Sequence, residues 1–216
     1  MGLKNPFIKQ MIQWIKDDFE SLDNIKMLEF GNQVVRPGHG YSETTGKDLW
    51  SNRGVNHTSV DVNGKHGSLI RDLSELNDFT QWENHFDVVY NAGTTEHVEP
   101  YRSQYTAFQI AHICCRHGGL MIHGVPSIEL RERSGTWKRH CHYYYSEEFW
   151  RNLAKWNGYD IIHLELTTSW TAVYRKQKTS EWKIPKEVLL SEVHIRNEDI
   201  DFNDTNYSHQ RKFFER

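Results

Sequence analysis

The stretch Lys26-Met27-Leu28-Glu29-Phe30-Gly31-Asn32-Gln33 decides how the rest of the chain is read. Apolar residues and one carboxylate run straight into a glycine, and two amides follow. A buried strand has this form when it ends in a tight turn that exposes backbone at the top of a sheet. Glu29, two positions before Gly31, stands where it can face whatever occupies that rim. If the occupant is a cofactor, these residues are its floor.

Outward from this strand, apolar spacing alternates between the two regular periods. Pro6 to Leu22 carries Phe7, Ile8, Met11, Ile12, Trp14, Ile15, Phe19 and Leu22 at helical spacing, which predicts an amphipathic helix covering one face of the core. Lys9 and Lys16 give it too little basic character for a membrane surface. Residues 34–54 read as a long loop with at most a short helix around 45–52. Strands are expected at 57–62, 68–73, 86–91 and 120–126, and again at 159–167 and 170–174 as an antiparallel hairpin. The run Phe86-Asp87-Val88-Val89-Tyr90-Asn91 suits a parallel strand buried on both faces. Helices are expected at 101–116 and 146–157, the second with a Ser-Glu-Glu start and an Asn157-Gly158 stop.

This alternation predicts an α/β fold: a Rossmann-like, seven-stranded, mostly parallel sheet with helices on both faces and an antiparallel terminal hairpin. Three regions follow from it. Residues 1–24 form a covering helix, 25–176 the sheet domain, and 177–216 a charged, peripheral C-terminal extension. Ligands of such sheets bind beyond the carboxyl ends of the strands, where strand order reverses.

Composition narrows the function. At 216 residues, with 37% hydrophobic and 25% charged, the chain suits one globular domain. The 8 Trp, 10 Tyr and 10 Phe supply rings for a core or cleft. A net charge of -3 provides no footprint for nucleic acid. No apolar run is long enough for a signal peptide or a membrane span. Three cysteines, Cys114, Cys115 and Cys141, are odd in number with two adjacent, which argues for a reducing, cytoplasmic setting.

The ordered segments MLEFGN, SVDVN, DLS, FDVVYNAGTTEHV, GGLMIHGVP, NGYDII and TAVYRK together resemble the class I S-adenosylmethionine (SAM)-dependent methyltransferases over roughly residues 25–176. The resemblance implies SAM as cofactor. It implies that Gly31 lets backbone approach the amino-acid tail and that Glu29 offsets the ammonium or sulfonium charge, with Asn32 beside them. Asp61 then takes the ribose hydroxyls, with Asn63 as an alternative, and Asp72 takes the adenine amino group. Asn91 and Gly93 line the methyl-transfer centre. Two features depart from the family: one glycine, Gly31, replaces the usual G-x-G-x-G, and the loop at 34–54 replaces a long first helix.

His97 in the turn after the fourth strand, and His140 in Trp137-Lys138-Arg139-His140-Cys141-His142, are the candidate catalytic proton acceptors. Tyr143, Tyr144 and Tyr145 read as cleft wall. The dense group His112, Cys114, Cys115 and His117 fits no zinc spacing, so no metal is expected. The expected activity is methyl transfer to an oxygen or nitrogen of a small-molecule or sugar-like acceptor. The alternative is a non-catalytic SAM-fold binding or scaffold module. A nicotinamide oxidoreductase would need G-x-G-x-x-G after a strand, and a nucleic-acid methyltransferase commonly N/D-P-P-Y; neither motif is present.

Overall fold

The computed structural model describes residues 2–36, 40–129 and 141–195. Its frame is a six-stranded sheet of β2 (Lys26–Phe30), β4 (Asn56–Val60), β5 (Phe86–Ala92), β6 (Cys115–Val125), β8 (Tyr159–Leu166) and β9 (Trp170–Lys176), in the order β4-β2-β5-β6-β9-β8. Strands β4, β2, β5 and β6 are mutually parallel, whereas β9 runs antiparallel to both of its neighbours. The hairpin therefore folds back on itself: β9 is interior, and β8 forms the edge. β2 pairs on both sides, which explains why everything in it after Lys26 is buried.

Six strands replace the seven expected. The segment at 68–73 makes only an isolated parallel bridge from Leu69 to Val60. Its connection to β4 is too short for the dozen or more residues a parallel crossover needs. Without a covering layer, Leu69 and Ile70 remain exposed.

Period-two alternation sends successive side chains to opposite layers. Met27, Val88, Tyr90, Leu120, Ile122 and Val173 face one core, closed by α1 (Asn5–Phe19) and α2 (Gly46–Ser51). In α1 the buried Ile8, Met11 and Ile15 form the inward stripe. The short helix expected near 45–52 is α2, whose N-cap Thr45 accepts from the Asp48 backbone N–H. Ahead of α1, β1 (Gly2–Leu3) pairs in parallel with β3 (Val34–Val35).

Leu28, Phe30, Val89, Met121, Ala172 and Tyr174 face the other core, under α3 (Ser103–Cys114) and α4 (Glu147–Asn157). α4 is bounded as its sequence predicts, by Ser146 capping Phe149 N–H and by Gly158 in the left-handed region. Two later elements change the picture of the C-terminal extension. α5 (Lys186–Leu190) packs on α3 and α4, and β10 (Val193–Ile195) pairs antiparallel with β7 (Tyr143–Tyr145). Ile184, Leu189, Leu190 and Val193 are buried in this core, so the described part of the extension is not peripheral; apolar burial anchors it. Among the described residues no helix is long and apolar enough to cross a membrane.

Candidate active site

The helix following β2 packs on one face of the sheet and the helix following β5 on the other, so strand order reverses between these two neighbours. The crevice of such a sheet opens there, at the strands' carboxyl ends. Gly31 lies at that point with φ +89°, a conformation that favours glycine. A Cβ on it would stand 2.5 Å from Thr94 Oγ1 and 3.0 Å from Gln33 Nε2. Thr94 Oγ1 donates to the Phe30 carbonyl at 2.8 Å and accepts from Gln33 Nε2 at 3.3 Å, so two polar side chains border the glycine.

Beside this turn, Asp61, Arg71, Asp72, Thr94, His97 and Glu99 line one cleft. The structure thus brings together three residues far apart in sequence: Asp61 after β4, Asp72 in the exposed segment, and His97 in the turn after β5. Asp61 accepts from the Asn63 N–H at 2.9 Å. Burial pushes its carboxyl above the ordinary range, against the pull of the Asn63 and Asn32 backbone N–H groups. Asp72 accepts from Ser74 N–H at 2.8 Å, which holds its side chain in a local turn. The Asn32 amide donates to Asn63 Oδ1 and the Lys65 carbonyl, tying the Gly31 turn to the Asp61 loop.

Two expected contact residues are consumed internally. Asn91 is fully buried; its Oδ1 accepts from Thr94 and Thr95 N–H groups, both at 3.2 Å, and its Nδ2 donates to Thr95 Oγ1 at 2.7 Å. It shapes the turn containing Gly93 (φ +79°), and both its amide oxygen and its amide nitrogen are engaged in doing so. Glu29 shares its face with Met27 and points beneath α2, where it accepts from Gln33 N–H at 2.9 Å and meets His57 Nε2 at 2.8 Å. Its carboxylate is a foundation for the turn, below the rim.

His97 is half-buried, with Nε2 4.0 Å from Glu96 Oε1. His140 lies outside the described residues. Tyr143, Tyr144 and Tyr145 are buried in the core; they do not line the Asp61 cleft, and Tyr145 Oη donates toward Gln104 Oε1 at 2.6 Å. Sequence reading passed over Glu96, whose two oxygens make no hydrogen bond among the described residues and whose carboxyl burial pushes up to about 8. Its signal was its place in Thr95-Glu96-His97, where it resembled an ordinary helix-starting acid. The contact between Thr94 and Gln33 depends on how the Gly31 turn closes, which no local pattern shows.

The His112 cluster has a packing explanation. His112 Nδ1 lies 2.6 Å from Tyr159 Oη, and burial lowers its pKa to about 3, so the ring is neutral. Cys114 and Cys115 are free and buried, and burial raises both thiols. Among the described residues no three His, Cys, Asp or Glu side chains converge as a metal would require.

No protein-family model matches the chain, and no curated protein does. Solved structures do. The Burkholderia thailandensis 1,6-didemethyltoxoflavin-N1-methyltransferase aligns over 79% of this chain and 78% of its own, with TM-score 0.51 and 13% identity. MycE methyltransferase from the mycinamycin biosynthetic pathway aligns with TM-score 0.52 and 15% identity over 83% of this chain, but only 51% of its own length. The PH0226 protein from Pyrococcus horikoshii OT3 aligns over 79% and 92%, with TM-score 0.52 and 13% identity. The strand order, the antiparallel β9 and these alignments agree: the chain has the fold of the class I SAM-dependent methyltransferases.

Proposed function

We propose that the protein is a SAM-dependent methyltransferase acting on an oxygen or nitrogen of a small-molecule or sugar-like acceptor, in a cytoplasmic setting consistent with its free cysteines. The observation that carries this reading is the convergence of Asp61, Asp72 and His97 in one cleft beside Gly31. Two of the similar structures hold S-adenosylhomocysteine (SAH), and their named acceptors are small molecules.

The residues present fit the cofactor. Asp61 is a partly desolvated carboxylate that gains by accepting the two ribose hydroxyls. We assign Asp72 to the adenine amino group; the missing Cβ at Gly31 admits Thr94 Oγ1 and Gln33 Nε2 beside the turn, and Gly93 is the glycine left for close backbone approach to the cofactor. Glu29, Asn32 and Asn91 act here by holding these turns in shape. Bound SAM supplies a methyl on a positively charged sulfur; the acceptor lone pair forms the new bond, the old S–C pair stays on sulfur, and the acceptor proton departs. This chain contributes alignment of acceptor and methyl, with His97 taking the proton; His140 is the other candidate for that step.

A binding or scaffold module is the second reading, favoured by the closeness of Thr94 and Gln33 over Gly31. Calorimetry with SAH tests the first reading: folded protein should bind it, and Asp61→Ala should weaken binding by about ten- to a hundredfold. Absence of binding sinks the methyltransferase reading. Binding without turnover on any acceptor selects the module.

A further inference from the structure

The carboxyl rim of the sheet holds a second and larger cavity. Gly93 separates the two in sequence: its neighbour Thr94 lines the Asp61 cleft and its neighbour Ala92 lines the second cavity. The second cavity encloses about 340 Å³, which is within the size range of small-molecule pockets.

Its floor follows from sheet register. Ala92 on β5 pairs with Gly124 on β6, and Gly124 pairs with Thr171 on β9. One pleat deeper on the same face, Tyr90, Ile122 and Val173 make the equivalent row. The step from three large side chains to three small ones leaves the hollow. Phe7 of α1 forms a wall, close enough that a Cβ on Gly124 would lie 3.2 Å from Phe7 Cζ. Among the described residues the polar lining consists of Lys4, Gln10 and the hydroxyls of the 167–171 turn, with no carboxylate. Lys4 is exposed, has no ion pair among the described residues, and α1 has no acid in its first turn to offset it.

We propose that this cavity is the acceptor site, and that the acceptor is a small hydroxylated aromatic carboxylate. Its ring lies on the Ala92-Gly124-Thr171 floor against Phe7. Its carboxylate turns to Lys4 at the mouth, and its hydroxyl points to Gly93. This rests on the methyltransferase reading and goes further, naming the acceptor's chemistry and the residues that select it.

The test uses the full chain saturated with SAH, titrated with 4-hydroxybenzoate and with its neutral counterpart 4-hydroxybenzamide. The benzoate should bind about tenfold more tightly than the amide. Lys4→Gln should abolish that preference, and Gly124→Val should remove binding of both probes, each with SAH affinity unchanged. If Gly124→Val fails to fold, the exposed Lys4→Gln variant still decides. SAH binding with no affinity for 4-hydroxybenzoate, or with a charge preference that survives Lys4→Gln, overturns the acceptor proposal alone. Failure to bind SAH overturns the methyltransferase reading itself.

Discussion

Glu29 Oε2 stands 2.8 Å from His57 Nε2, and neither side chain reaches solvent. The strand pairing dictates this meeting: Met27 faces His57 and Glu29 faces Ser59, so Glu29 and His57 lie on one face, under α2. A Cβ on Gly46, the first residue of α2, would lie 3.0 Å from both Glu29 oxygens, so the helix rests on the carboxylate. Tyr90, whose phenol burial and the Glu29 charge both push up, and Trp50, which donates to Tyr90 Oη at 3.1 Å, complete the enclosure.

Glu29→Ala should therefore act first on stability. Removing the buried carboxylate leaves the Gln33 N–H without its acceptor, at a cost of about 1–3 kcal/mol. Glu29→Gln, which keeps an acceptor for Gln33 N–H, should cost less. Urea denaturation measures both. A Gln variant of native stability that no longer binds SAH would return Glu29 to direct cofactor contact.

Glu96 predicts a pH dependence. Its folded-state pKa, about 8, is raised above the ordinary value of 4.5 because burial penalises the charged form. The stability it contributes is present below about pH 4.5 and is lost as pH rises through 8. Melting temperatures from pH 5 to 8 should fall more steeply for the wild type than for Glu96→Gln. Parallel profiles would contradict the protonated assignment.

Lys176 is buried, and its Nζ donates to the His112 carbonyl at 2.8 Å, the Cys115 carbonyl at 2.8 Å and Asn84 Oδ1 at 2.9 Å. It caps the end of α3 from a neighbouring strand. Lys176→Met keeps the chain length but strands three acceptors, and should cost about 3 kcal/mol. Chemical denaturation showing less than about 1 kcal/mol would mean that water replaces the amine.

At Gly31, alanine faces two obstacles: the positive φ, worth roughly 1–2 kcal/mol, and the 2.5 Å approach to Thr94 Oγ1. Gly31→Ala should be destabilised and weak in SAH binding. Adding Thr94→Ser, which keeps the hydroxyl and removes a methyl, should leave both defects, whereas Thr94→Gly should recover the steric part. Full recovery by either would show that φ is not the obstacle.

Much of the frame was legible because its signals are local. Ser146, the acids after it and Gly158 bound α4 where the sequence places it. The apolar run of β5 announced a doubly covered strand. The miscounted strand at 68–73 has a local pattern that fits; what rules it out is the short connection to β4, a length constraint and not a propensity. In the site, the family resemblance pointed to Asp61 and Asp72 and the turn after the fourth strand to His97, and these three side chains line one cleft. Glu29 and Asn91 were assigned outward roles because a strand's alternation gives a face but not what covers it. In both cases the cover came from a neighbouring turn: α2 over Glu29, and the Thr94-Thr95 backbone around Asn91.

The interior position of β9 has a consequence for synthesis. β6 is eleven residues long, and until β9 arrives its outer edge offers a row of unpaired backbone groups. Trp170 follows Val125 by some 45 residues, so at ordinary translation speeds a nascent chain carries this naked edge for roughly two to nine seconds. β8 emerges first but cannot cover it, because its place lies beyond the missing strand. The sheet closes from the inside only when the last of its strands is made, and until then the ribosome holds a half-built protein with an adhesive flank.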